Sequence, residues 1–143
     1  MHIGLYVFMQ GGNIMKIDWS EEHDLDRCGI RIAPSSAGVY EILQEPTYPR
    51  YKLATRVIKI GMSKQDLQKE LDNHLQTHTT ANRIKRIKKE TGVTFRFAPT
   101  SPDDASRIEK ELLKEFEDRH WDVPVCNSTR GYGRNEDSHY GSG

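Results

Sequence analysis

The chain has 143 residues, within the roughly 100–200 residues of one domain, so a second substrate-binding domain is not expected. Its 21 Lys and Arg balance its 21 Asp and Glu, which excludes a globally basic polyanion binder and an acidic tail protein. Any affinity for nucleic acid has to come from a local patch. Cys28 and Cys126 stand too far apart for a thiolate zinc site and are too few for a disulfide framework, so a reducing, intracellular setting is expected, cytoplasmic or with nucleic acid.

The longest apolar run, Ile3 to Met9, is far shorter than the ~20 residues that span a bilayer. It lacks the basic flank and small-residue cleavage site of a signal peptide. Met15 is a second possible start, which would leave residues 1–14 as an added strand or an artefact. Residues 1–35 therefore read as an N-terminal extension, 36–128 as the folded domain, and 129–143 as a flexible tail rich in Gly, Asn, Ser and Tyr.

Three segments rich in β-branched and aromatic residues read as strands: Gly38–Leu43, Thr55–Ile60 and Val93–Phe97. Between the first two, Gln44–Ala54 carries Pro46 and Pro49 and is predicted to be a long hairpin connection. Ser63 is the expected cap of a helix whose Leu67, Leu71 and Leu75 recur every four residues. Thr79 or Thr80 caps a second helix, Ala81–Glu90, ended by Gly92. Ser101-Pro102-Asp103-Asp104 combines a capping serine, a proline at the first helical position and two acids at the positive end of the dipole. It opens a third helix expected to run to about Arg119. Strands with helices between and after them make a small α+β domain.

On a wheel at 100° per residue, Ala105, Ile108, Leu112, Leu113 and Phe116 form one stripe, with Glu109 inside it. A carboxylate there needs a hydrogen-bond partner, a cation or a raised pKa. Its bland reading is a rim carboxylate paired with an Arg; the functional one is a metal ligand or acid/base group. His74 and His78 fall on the Leu67/Leu71/Leu75 face, but no third ligand at metal spacing accompanies them. Arg83, Lys85, Arg86, Lys88 and Lys89 crowd the second helix. They form either a solvated face or a phosphate-contacting patch extended by Arg130, Tyr132 and Arg134.

Gly38-Val39-Tyr40, then Lys59-Ile60-Gly61, His74 in a helix, Glu109 in a helix and finally Asn127 resemble the GIY-YIG nucleases over residues 36–128. The resemblance implies a small three-stranded antiparallel sheet flanked by about three helices and one-metal cleavage of a DNA phosphodiester bond. It also implies Mg²⁺ or Mn²⁺ on Glu109, water activation by Tyr40, His74 at a position the family fills with histidine or tyrosine, and Asn127 bracing the site. Two departures stand out. Lys59 replaces the tyrosine that opens the second motif, and Glu70 occupies the usual arginine position four residues before His74. Lys59, Arg56 or Arg83 would then have to supply the positive charge, or Glu70 would add a second carboxylate. A divergent metal-dependent endonuclease is the first expectation. A catalytically degenerate nucleic-acid-binding module is the second, and a protein-interaction domain the third.

Overall fold

The computed structural model describes residues 4–10, 13–76 and 79–127. Strands β1 (Gly4–Gln10) and β2 (Asn13–Trp19) pair as an antiparallel hairpin. After β3 (His23–Asp24) and a single helical turn, α1 (Arg27–Ile30), the chain enters β4 (Gly38–Arg50) and β5 (Leu53–Ser63). Helix α2 (Leu67–Asp72) runs on into a 3₁₀ turn, Asn73–Leu75, before α3 (Thr79–Glu90), β6 (Val93–Pro99) and α4 (Pro102–His120). The main sheet is antiparallel with strand order β3-β6-β4-β5.

The fold is thus α+β, as expected. The three expected strands make up β6, β4 and the edge strand β5, and a short strand that the sequence does not signal, β3, adds the other edge and makes the sheet four-stranded rather than three-stranded. The Gln44–Ala54 connection is not a loop: β4 and β5 run on to a tight turn at Tyr51-Lys52, with Arg50 paired to Leu53. Pro46 is accommodated because the register slips between Leu43 and Tyr48, where no ladder bond to β5 is needed, whereas Pro49 stands opposite Ala54 just before the turn. Asp66, not Ser63, caps α2, accepting from the Lys69 amide at 3.0 Å. Ser63 Oγ instead accepts from the amides of Gln65 and Asp66, turning the chain out of the strand. Ser101 caps α4 as expected, accepting from the Asp104 amide. His78 and the 129–143 tail lie outside the described residues.

Two cores lie on opposite faces of the sheet. One holds Tyr40, Ile42, Ile58, Phe95 and Phe97 against α1, α2 and α3 through Leu25, Ile30, Leu67, Leu71 and Ile84. The other holds Val39, Ile60 and Ala98 against the predicted α4 stripe, with Ile17 and Trp19 of β2 joining it. A sheet can be covered on both faces only if both parities of its strands are apolar, and Gly38–Leu43 is buried throughout. The outer edge of β5 is sealed by the segment after α4. Cys126 N donates to Ile58 O, and the Asn127 amide both accepts from Ile60 N and donates to Ile60 O.

Candidate functional site

Tyr40 lies on the α2 side of the sheet, in register with Gly61 on β5. Its ring is 0% exposed and fills the space that a side chain at Gly61 would take. The buried hydroxyl meets two groups from the α2 segment: it donates to Glu70 Oε2 at 3.0 Å and lies 2.9 Å from His74 Nε2. With the phenol proton on the Glu70 side, His74 Nε2–H is the donor to the phenol oxygen, so the order His74, Tyr40, Glu70 gives every member a permitted role. The interruption of α2 by the 3₁₀ turn places His74 at this point.

Lys59 arrives at the same place through a β-bulge. It pairs with Ile42 while Val57 pairs with Leu43, leaving Ile58 unpaired. Ile58 joins one core and Ile60 the other, although they are two residues apart. Opposite Ile42, Lys59 is on the Tyr40 face. From α4, Glu109 sits half-buried at the rim of its stripe rather than within it. The strongest opposite charge acting on it is that of Lys59, not of an arginine.

The charges act on one another. Burial first, then the Glu70 and Glu109 carboxylates, hold the Tyr40 phenol well above its ordinary 10.0. Burial lowers Lys59 from its usual range, opposed by Glu70 and Glu109. Burial also raises Glu109, with Lys59 pulling it back and Glu70 pushing it further up. Five polar side chains from β4, β5, α2 with its 3₁₀ turn, and α4 are therefore gathered in one cluster. Tyr40 and His74 form its buried back; Lys59, Glu70 and Glu109 are half-exposed.

Asn127 reaches this cluster only by clamping Ile60, the neighbour of Lys59. Arg56 does not approach it: its guanidinium holds Glu22 through two 2.9 Å bonds and also donates to the Gln44 and Glu45 carbonyls. Arg83 donates to Val125 O, and Lys88 to Leu25 O, so two members of the basic helix tie down backbone. Arg86 and Lys89 are exposed, and Lys85 is half-buried.

A family model, the T5orf172 domain, matches residues 38–137, more than half of the chain. The chain belongs to the T5orf172 domain family. Nothing matches among curated proteins or solved structures. The resemblance to GIY-YIG nucleases is corrected by this match, which is to a different family. Its two tripeptides are pieces of one β-hairpin, where Gly, β-branched and aromatic residues serve the fold whatever the family, and the departures at Lys59 and Glu70 fall in the site itself. The T5orf172 domain is a nuclease-like or DNA-binding family, compatible with a nucleic-acid-related function. Among the described residues, no helix is long and apolar enough to cross a membrane.

Proposed function

We propose that this T5orf172 domain cuts phosphodiester bonds in DNA with the help of a divalent cation. The observation that carries the reading is the meeting of Lys59, Glu70 and Glu109 in front of the buried Tyr40–His74 pair. A carboxylate raised by burial and by a second carboxylate, set beside a single ammonium, is costly for a fold and is characteristic of sites that do chemistry.

The donor set fits a hard cation. Glu109 and Glu70 offer carboxylate oxygen and half-exposed positions. Among the described residues, no group of three or more His, Cys, Asp or Glu could cage a metal. The protein would contribute one or two carboxylates, leaving the remaining positions to water and substrate phosphate, as Mg²⁺ commonly requires. Glu109 would hold the ion, with Glu70 beside it. When bound, Mg²⁺ or Mn²⁺ supplies Lewis-acid stabilisation of the phosphoryl charge.

The chain's own residues divide the other tasks. Tyr40 cannot touch substrate from its buried position, and its raised pKa keeps it protonated at neutral pH. It is a positioning residue: accepting from His74 and donating to Glu70, it fixes the Glu70 carboxylate in one orientation. Glu70 is then the group placed to take a proton from an attacking water, and Lys59 is the cation facing the phosphate. Asn127 holds the Lys59 segment of the edge strand in place.

Incubation with plasmid, flap and single-stranded DNA plus Mg²⁺ or Mn²⁺ tests this reading. Cleavage that falls by about 10²–10³-fold in Glu109→Gln is expected, the scale of losing one charge-stabilising group. No cleavage by the wild type, or equal cleavage by Glu109→Gln, overturns it. A non-cutting DNA-binding module is the second reading, favoured by Lys59 because an ammonium already offsets the paired carboxylates. Its signature is salt-sensitive binding without cleavage that survives Glu109→Gln and weakens on charge reversal at Arg86 and Lys89.

A further inference from the structure

Among the described residues, only two non-glycine residues have left-handed backbones: Tyr51 at φ 59° and Trp121 at φ 62°. Tyr51 opens the turn between β4 and β5, and Trp121 ends α4, its amide donating to Glu117 O at 2.7 Å. Glycine is the usual occupant at such helix ends, and bulky residues there are outliers. Yet these two rings stack, with centroids 4.5 Å apart and planes 8° from parallel. Little area is hidden in return, because Tyr51 remains 52% and Trp121 69% exposed.

We infer that the Tyr51–Trp121 stack is a platform for an unpaired base of single-stranded nucleic acid. Each ring covers one face of the other, and the high exposure of Trp121 leaves indole surface on which a base can stack. The Lys52 ammonium lies 5.6 Å from the Tyr51 centroid, placed to meet a backbone phosphate. The nearby Asp122 carboxylate, which would repel that phosphate, is engaged by Arg50 at 3.3 Å. Arg50 also donates twice to Val123 O, fixing the segment that carries Trp121. The residues flanking the pair in sequence are Arg50, Lys52, His120 and Asp122, not the apolar surround that makes a protein-binding hot spot. The inference shares nucleic-acid contact with the proposed function but does not need bond cleavage.

Trp121→Gly separates a binding role from a structural one, because glycine accepts the left-handed backbone while removing the ring. Affinity for a labelled oligothymidylate, read by anisotropy, is expected to fall about 5- to 150-fold, the loss typical of one base–aromatic stack. Trp121→Phe is expected to retain most of it, duplex affinity to stay unchanged, and the thermal midpoint of Trp121→Gly not to drop. The inference is overturned if the wild type does not bind oligothymidylate or if Trp121→Gly binds it with unchanged affinity. It is equally overturned if Trp121→Gly melts earlier and loses single-strand and duplex binding together. Plasmid cleavage is scored separately and tests the Glu109 cluster alone.

Discussion

Gly61→Ala tests the packing on which the whole cluster rests. A Cβ at Gly61 would stand 2.4 Å from both Cζ and Oη of Tyr40 and 2.9 Å from Cε2, whereas carbon atoms pack at about 3.5–4.0 Å. The ring would have to move by on the order of 1 Å to restore contact distance. It has nowhere free to go, being fully buried in the core that includes Leu67 and Leu71. Overpacking of this kind costs about 1–3 kcal/mol, and loosening the hydroxyl's hydrogen bonds adds about 1 kcal/mol. The expected total is about 2–4 kcal/mol, read as a shift in the urea midpoint at constant slope. Cleavage should fall as well, since the moved phenol no longer fixes Glu70. In Tyr40→Phe the Oη clash disappears but the Cζ clash remains, so Gly61→Ala should cost less in that background without becoming neutral. A Gly61→Ala protein within about 0.5 kcal/mol of wild type would refute the reasoning.

Glu109→Gln should stabilise the fold at neutral pH. Because burial raises the folded pKa of Glu109 above its ordinary 4.5, its favourable contribution exists below that value and is lost as pH rises through the folded pKa. Urea midpoints of mutant and wild type should therefore converge in acid and separate toward pH 7. Arg96→Met should cost about 3–5 kcal/mol, because it strands the Glu41 carboxylate, which is 5% exposed and bound to Arg96 at 2.7 and 3.0 Å. Adding Glu41→Gln should recover much of that loss, and urea denaturation of the pair measures it. In the native protein a thiol reagent should modify exposed Cys28 rapidly and spare Cys126, whose thiol is buried and pushed up to about 11; equal rates would contradict the packing around β5.

What was legible in the sequence depended on whether the signal was local. The α4 cap and stripe are local, since Ser101, Pro102 and the helical spacing of apolar residues specify them without help from the rest of the chain. The α+β class followed from short β-rich segments separated by such helices. The bulge was not legible: Ile58 and Ile60 have the same parity in an ideal strand, and only pairing with β4 sends them to opposite faces. The strands through Gln44–Ala54 are not legible because two prolines normally end a strand, and the register slip that accommodates Pro46 is a property of the strand pair. At the site, the residue types were visible, but the Tyr40–Glu70 bond was not. In sequence Glu70 reads only as a replacement for arginine, and the geometry alone gives its carboxylate a buried phenol as donor. The basic helix showed the opposite failure, since composition could not reveal that Arg83 and Lys88 bind backbone carbonyls.

The clamp of Asn127 on Ile60 has a consequence for assembly. A terminal strand with free carbonyls and amides is a template on which another chain can add itself. Here the strand that carries Lys59 is the terminal strand of the sheet, so an added chain would run beside Lys59. By engaging Ile58 and Ile60, Cys126 and Asn127 act as a cis-acting stopper, keeping that flank from becoming an aggregation seam while leaving the intervening Lys59 without a strand laid over it.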